Sequence, residues 1–206
     1  MPLEAELATN SESLLRRKQQ LVQDTIWNVA MDLFGEKGYD EITVDDIATA
    51  AGVSQRTFFR YFASKNDLLG QGVQIYGEAL KEAIEARPKS ADAFEVLQSV
   101  VLEIATIIAS LPRTRDLIAV SLKSPAAREA QLSRMGQVQQ TVAQAFADRT
   151  EEINENELSS RLLAGLTLTI LDVTMRLWFA EEAEDITVVA ERVMKKLCHL
   201  VGSAEG

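Results

Sequence analysis

Apolar residues recur along this chain at spacings of three and four. No stretch alternates with period two over a useful length, so the pattern predicts an all-α protein of about nine helices. Leu15, Val22, Ile26, Val29, Ala30, Leu33 and Phe34 mark a first long helix over 14–37, which Ser13 can cap and Gly38 can end. A helix from Lys65 can run to Arg87, where Pro88 stops it. Phe94, Leu97, Val101, Ile104, Ile108 and Leu111 form an unbroken stripe over 92–110, ended by Pro112. A short helix follows over 113–123. Ser124-Pro125 then reads as an N-cap with proline at the first helical position, opening a helix through Leu132, Met135, Val138, Val142 and Phe146 to about Arg149. Residues 151–157 read as an acidic, solvated connection. The segment 157–180 is apolar nearly all round, and a last helix from Asp185 or Thr187 carries Val189, Val193, Leu197 and Leu200 on one face.

Two shorter elements lie at 43–65. Thr43 can cap one, with Asp46 three residues on, and Ile42 and Ile47 at the positions of a hydrophobic staple. Ser54 can cap the next, with Val53 and Phe58 placed the same way. Gly52 supplies the turn between them, and the small Ala48 permits a close crossing. Helix, glycine turn, helix is the helix-turn-helix, whose second helix enters the DNA major groove. On that helix Phe58 and Phe62 share an anchoring face, flanked by Tyr61, while Gln55, Arg56, Phe59 and Arg60 point elsewhere. Gln55 and Arg56 suit base edges, since glutamine pairs with adenine N6/N7 and arginine with guanine O6/N7. Thr43, Thr57, Tyr61 and Lys65 carry donors suited to phosphate oxygens, and Ser54 and Arg60 complete the expected DNA-binding set.

From Leu14 to Leu69 the chain resembles the tetracycline-repressor (TetR-type) family of bacterial transcription regulators. The resemblance rests on Ala30-Met-Asp-Leu-Phe-Gly-Glu-Lys-Gly-Tyr39, Thr43-Val-Asp-Asp-Ile-Ala48, Ala51-Gly-Val-Ser54, Thr57-Phe-Phe-Arg-Tyr-Phe62 and Lys65-Asn-Asp-Leu68. It implies base contacts at Gln55 and Arg56, and backbone contacts at Thr43, Thr57, Phe59, Tyr61 and Lys65. The family commonly has tyrosine where this chain has Phe59, which keeps only an apolar contact with sugar or a thymine methyl. The Thr-Phe-Phe-Arg-Tyr-Phe wording is similar to an actinobacterial subgroup whose better-known members sense acyl-CoA-like ligands.

Charge changes the picture only in its distribution. The net charge is −10. Residues 1–13 are acidic and predict a disordered arm; residues 14–66, the expected DNA-binding domain, carry seven charges of each sign; the excess of acids lies in 67–206, the expected ligand-binding and dimerisation domain. A neutral head on an acidic body favours specific over nonspecific DNA binding. The cluster Arg16-Arg17-Lys18 is either a solvated face or a further phosphate or minor-groove contact. A single cysteine, Cys198, and a single histidine, His199, leave no internal disulfide and almost no zinc ligands. No cofactor is expected, and with no glycine-rich phosphate loop or carboxylate pair, no enzyme either. The N-terminus lacks the pattern of a signal peptide, and the most apolar run, Leu162–Leu171, is far short of the roughly 18 residues of a membrane span. A cytoplasmic protein without a membrane partner is expected.

The helix over 158–180 has too little polar surface for one wet face, so it must be buried on two sides. One side suits its own body and the other, with the last helix, a second copy in a two-fold homodimer, an arrangement the family resemblance also implies. Leu158, Leu162, Gly165, Leu166, Val189, Val193 and Leu197 are the candidate dimerisation residues; Gly165 is either a close-approach site or a tolerated helix glycine. Apolar stripes in the body converge on an expected effector cavity, with Phe94, Leu97, Val101, Ile104, Leu117, Met135, Val138, Leu171, Met175 and Trp178 as candidate lining, unless they are plain core. Thr167, Thr169, Asp172, Thr174 and Arg176 place polar groups among them, and Asp172–Arg176 can equally be an intrahelical pair. The expected function is a dimeric repressor of a near-palindromic operator, released by a mainly apolar small molecule, with acyl-CoA-like molecules as one class. An activator with the same head, or a helical adaptor without sensing, are the alternatives.

Overall fold

A computed structural model of the chain describes residues 2–149, 153–181 and 185–202. Among these the regular structure is helical: α1 (Pro2–Lys37), α2 (Val44–Ala50), α3 (Gln55–Tyr61), α4 (Lys65–Glu85), α5 (Ala93–Ser110), α6 (Thr114–Lys123), α7 (Pro125–Ala147), α8 (Ile153–Ala180) and α9 (Ile186–Gly202). The chain divides into two compact units, Met1–Leu68 and Leu69–Gly206, with the division inside α4.

Two element boundaries differ from expectation. The segment 1–13, expected as a disordered arm, is helical from Pro2 onward. Proline is tolerated at a first helical position. Of the expected acidic connection, residues 151 and 152 lie outside the described residues, while 153–157 open α8.

The first unit is built around Ile26, Ala30, Met31, Phe34, Tyr39, Ile42, Ile47, Ala48, Phe58, Phe62 and Leu68, all buried. Phe34 and Tyr39 meet edge-to-face with ring centroids 4.9 Å apart. The second unit has its own core, centred on Leu80, Ile84, Leu97, Val100, Val101, Ile104, Val142, Phe146 and Val189. In it α8 packs against α7, α9 and α5. Arg149 closes the C-terminal end of α4 by donating to the carbonyls of Ile84 and Arg87, each at 3.0 Å, and of Pro88 at 2.6 Å. The Ile84 and Pro88 carbonyls also accept from the Arg87 and Ala91 N–H groups at 3.2 and 3.0 Å, so Arg149 joins a turn already closed by its backbone.

Residues 93–110 and 157–180 are long and apolar enough, by length and composition, to cross a membrane. The expectation from the uninterrupted run Leu162–Leu171 missed this, because a span tolerates a charge or two that breaks such a run. In α5 the apolar face is consumed internally: Val96, Leu97, Val100, Val101, Ile104, Ala105 and Ile108 are all buried in the body.

Candidate nucleic-acid interface and effector cavity

In the first unit, the helix-turn-helix is assembled by short-range polar contacts. The Thr43 Oγ1 accepts from the Asp46 N–H at 3.2 Å, and the Thr43 N–H donates back to the Asp46 carboxylate at 2.9 Å, a complete capping box. The hydrogen bonds hold the Asp46 carboxyl below the usual carboxylate range. At the other end of α2, Gly52 takes φ +67°, and the Gly52 and Val53 N–H groups donate to the Thr49 and Ala48 carbonyls at 3.1 and 2.9 Å. That is a Schellman stop, which only a residue free to take positive φ makes without strain. Ser54 caps α3 through the Thr57 N–H at 3.1 Å, and its hydroxyl also meets the Thr57 hydroxyl at 2.9 Å.

This framework fixes which way α3 faces. Phe58 and Phe62 are buried, while Gln55, Arg56, Phe59 and Arg60 are exposed, Phe59 to 53%. Arg56 has no hydrogen bond or ion pair among the described residues. Arg60 donates to the Tyr61 hydroxyl at 3.0 Å and lies 4.8 Å from that ring's centroid. Two expected DNA-binding side chains are engaged in ways their spacing did not announce. The Gln55 amide donates to Asp45 of α2 at 2.8 Å. Lys65, expected on phosphate, has its Nζ donating to the Tyr39 and Ile42 carbonyls at 2.8 and 2.9 Å, over the Tyr39 ring at 4.2 Å. Two of its three N–H bonds therefore hold the α1–α2 connection. Around it, the Tyr39 hydroxyl donates to Asn66 at 2.6 Å and the Trp27 indole N–H to the Leu68 carbonyl at 3.1 Å. Burial, with a smaller contribution from Asp40, pushes the Tyr39 phenol up to about 12.

In the second unit a cavity of about 160 Å³ lies among α4, α6, α7 and α8, with Ile108 of α5 at its wall. Of the ten expected lining residues, Leu117, Met135, Val138, Leu171 and Met175 line it. The other five do not. Leu97, Val101 and Ile104 are fully buried core of α5, Phe94 packs half-buried on that core, and Trp178 is covered by the Arg115 guanidinium 4.0 Å from its ring centroid. The 3-4 stripe of α5 thus marked the inner core except at Ile108, which lines the cavity, since a stripe reports burial and not what fills the space beyond it.

The polar groups on the cavity wall are few. Tyr76 shares a hydrogen bond with Thr114, and burial pushes its phenol up. Asp172 and Arg176 form a two-pronged pair at 2.8 and 2.9 Å, so the intrahelical reading and the wall reading both hold. Arg128, Gln131 and Ser121 complete the set. The sequence reading passed over Tyr76, Arg128 and Gln131; only Tyr76 had a signal, its place between Val73 and Leu80 on the apolar face of α4. Thr167 and Thr174 are buried, the first bonded to the Leu163 carbonyl at 2.8 Å. Val138 also touches α4: a Cβ at Gly77 would stand 3.1 Å from a Val138 methyl.

A second, mostly apolar groove runs along α8 and α9, lined by Leu166, Thr169, Ile170, Val173, Leu177, Val193, Leu197 and Leu200 together with Arg192 and Lys196. Leu158 and Leu162 continue α8's exposed face at 67% and 58% exposure. Two candidate dimerisation residues lie elsewhere: Val189 is fully buried in the body's own core, next to the exposed Val188, and Gly165 faces α7, where an added Cβ would stand 3.7 Å from the Gln139 amide nitrogen.

The tetR family of bacterial regulatory proteins matches residues 26–71, and the MftR C-terminal domain matches residues 91–201. The chain is 28% identical to MftR of Mycobacterium tuberculosis, a transcriptional regulator named for mycofactocin biosynthesis, over 85% of this chain and 89% of that one. It is 24% identical to the HTH-type transcriptional regulator TcmR of Streptomyces glaucescens, over 88% and 83%. Among solved structures, NalD, the secondary repressor of the MexAB-OprM multidrug efflux pump in Pseudomonas aeruginosa, superposes with a TM-score of 0.61 at 21% identity, covering 89% of this chain and 96% of that one. FadR of Bacillus subtilis, solved with stearoyl-CoA, does so at 0.58 and 20%, covering 83% and 95%.

Proposed function

The chain belongs to the tetR family of bacterial regulatory proteins, with an MftR-type C-terminal domain, and we propose that it is a cytoplasmic homodimeric repressor whose operator binding is relieved by a small, mainly apolar effector. It is a transcription regulator, not an enzyme. The observation that carries the DNA-binding half of the proposal is the outward face of α3. Gln55, Arg56, Phe59 and Arg60 project from a helix whose opposite face is locked by Phe58 and Phe62. Arg56 reads guanine and Gln55 adenine, while Thr43, Ser54, Thr57, Tyr61 and the remaining N–H of Lys65 meet the backbone.

The dimer reading is supported by α8 and α9. An apolar groove continuous with exposed Leu158 and Leu162 wants a self-complementary partner, and a second copy supplies it. Two copies then present two recognition helices to half-sites about 34–36 Å apart, or a multiple of that.

The effector reading rests on the cavity's mostly apolar wall and on where it lies. Val73, Tyr76 and Leu80 of α4 line it, and α4 is the continuous helix that joins the body to the DNA-reading unit. A ligand that forces α7 outward acts on α4 through the Val138–Gly77 contact. A cavity of about 160 Å³ suits a compact ligand or the leading end of a longer one. An acyl-CoA-like effector would insert its acyl end and leave its anionic part beside exposed Arg128, Leu122 and Leu132.

Selection of bound duplexes from random DNA tests the core of this reading. The selected sites should be near-palindromes, and Arg56→Ala should lose about 1–3 kcal/mol at one guanine in each half-site. An unchanged base preference would remove α3 as the reader. Leu162→Glu should give a folded monomer by light scattering and circular dichroism; a dimer of native stability would exclude that face. Any releasing ligand must bind more weakly in the presence of operator by the same factor that it weakens DNA binding.

A further inference from the structure

We propose that Asp45, on α2, is a specificity-determining positioning residue that presents Gln55 to DNA as a reader of adenine. The proposal rests on Gln55 being the base reader described above. Asp45 is exposed and has no role in the cap of α2; that work is done by its neighbour Asp46. What Asp45 does is accept a hydrogen bond from the Gln55 amide nitrogen at 2.8 Å, across the turn that joins the two helices.

The consequence is chemical. A glutamine amide has one acceptor oxygen and a nitrogen with two N–H bonds, and on a flexible side chain either end can meet a base. An ionised carboxylate only accepts, so it admits only the nitrogen end. With one N–H given to Asp45, the amide keeps its second N–H and its oxygen for DNA. That donor and that acceptor are what adenine N7 and N6–H₂ require together. Without Asp45 the amide can turn over, and its pairing with adenine loses its advantage over other bases. The carboxylate's second effect has the opposite sense. A negative charge at the DNA-facing turn repels phosphate and lowers affinity for every sequence alike. Asp45 therefore exchanges overall affinity for selectivity at one base pair.

Four full-length variants separate these effects, each measured by equilibrium binding to the operator selected by the native protein and to that operator with every base substituted at each position. Gln55→Ala identifies the position that Gln55 reads. Asp45→Ala is expected to reduce adenine preference at that same position by about threefold or more, within the roughly 5- to 150-fold that a bidentate pair supplies. It should also bind all the duplexes more tightly. Asp45→Asn drops the charge and offers Gln55 a donor as well as an acceptor, so it should share the general gain in affinity while losing much of the adenine preference that the acceptor-only carboxylate enforces. The double variant Asp45→Ala/Gln55→Ala should show no further loss of base preference beyond Gln55→Ala. If Gln55→Ala changes one position and Asp45→Ala leaves it untouched, or Asp45→Asn keeps the full adenine preference, the positioning role is wrong while the reading of α3 stands. If Gln55→Ala changes no position, both fall.

Discussion

Around α2 and α3, polar side chains pin backbone to backbone: Thr43 with Asp46, Ser54 with Thr57, Lys65 on the Tyr39 and Ile42 carbonyls, Trp27 on the Leu68 carbonyl. The body around the cavity is held differently. Its helices meet through aliphatic side chains, it leaves about 160 Å³ unfilled, and the buried Thr174 hydroxyl has no hydrogen-bond partner among the described residues. Directional bonds fix a geometry, which a surface that must match base edges requires. Apolar contacts are non-directional, so helices joined by them can shift at small cost, which a ligand sensor requires.

The strongest way to break this contrast is to remove a keystone from the first unit alone. Phe58 is fully buried, and Phe58→Ala should destabilise its unit by about 3–5 kcal/mol. If the two units are energetically separate, calorimetry will show an early transition for the first and an unchanged one for the second. A single transition moving as a whole would show that the pinned and the apolar regions unfold as one.

Lys65 sharpens the contrast at the next level. Its ammonium makes two charge-assisted bonds to carbonyls and covers an aromatic face, so Lys65→Ala should cost the first unit about 2–3 kcal/mol, beyond any loss of DNA contact. Were Lys65 chiefly a phosphate ligand, thermal stability would hold and only the salt dependence of DNA binding would fall, by about one unit of slope.

The body offers the matching test through two glycines. Val138 is β-branched and stiff, and stands 3.1 Å from where a Gly77 Cβ would be, so Gly77→Ala should destabilise the body by about 1 kcal/mol after its gain in helix propensity. Gly136, also in a helix, meets nothing within 4 Å, and Gly136→Ala should stabilise by up to about 1 kcal/mol. Equal effects from the two would mean that α4 and α7 are not in close contact at Gly77.

The same contrast explains what could be read from the sequence. Caps, staples and the Gly52 turn act over three to six residues, so the helix-turn-helix and the exposed face of α3 were legible from spacing alone. The Gln55–Asp45 and Lys65–Tyr39 contacts were not, because they join residues ten and twenty-six apart across turns. In the body, periodicity located the apolar faces of α5, α7 and α9 but not the space between faces. Leu97, Val101 and Ile104 carry the same 3-4 signal as the cavity-lining Met135 and Val138, yet fill the core. Val189 carried the helical signal of Val193 and sits one residue too far inward. Which side of an apolar helix meets its own body is decided by long-range packing, and a single helix does not encode it.

The smallest expected effect concerns pH. Tyr39 titrates near 12 in the folded protein, against about 10 in an unfolded chain. Below pH 10 both states hold the proton and the phenol keeps its bond to Asn66. Between pH 10 and 12 the unfolded state releases its proton first, so Tyr39's contribution declines as pH rises, by about 1 kcal/mol at pH 11. Tyr39→Phe removes both the bond and this titration. At neutral pH it should be less stable than the native protein by about 1 kcal/mol, the worth of one hydrogen bond. The difference should shrink as pH rises, because only the native first unit loses this contribution, and should vanish near pH 11. Chemical denaturation followed by circular dichroism at pH 8, 10 and 11 measures it. A gap that stays constant over that range would mean that Tyr39 is solvated enough to ionise in place, and that the polar pins around α2 are looser than the body they are contrasted with.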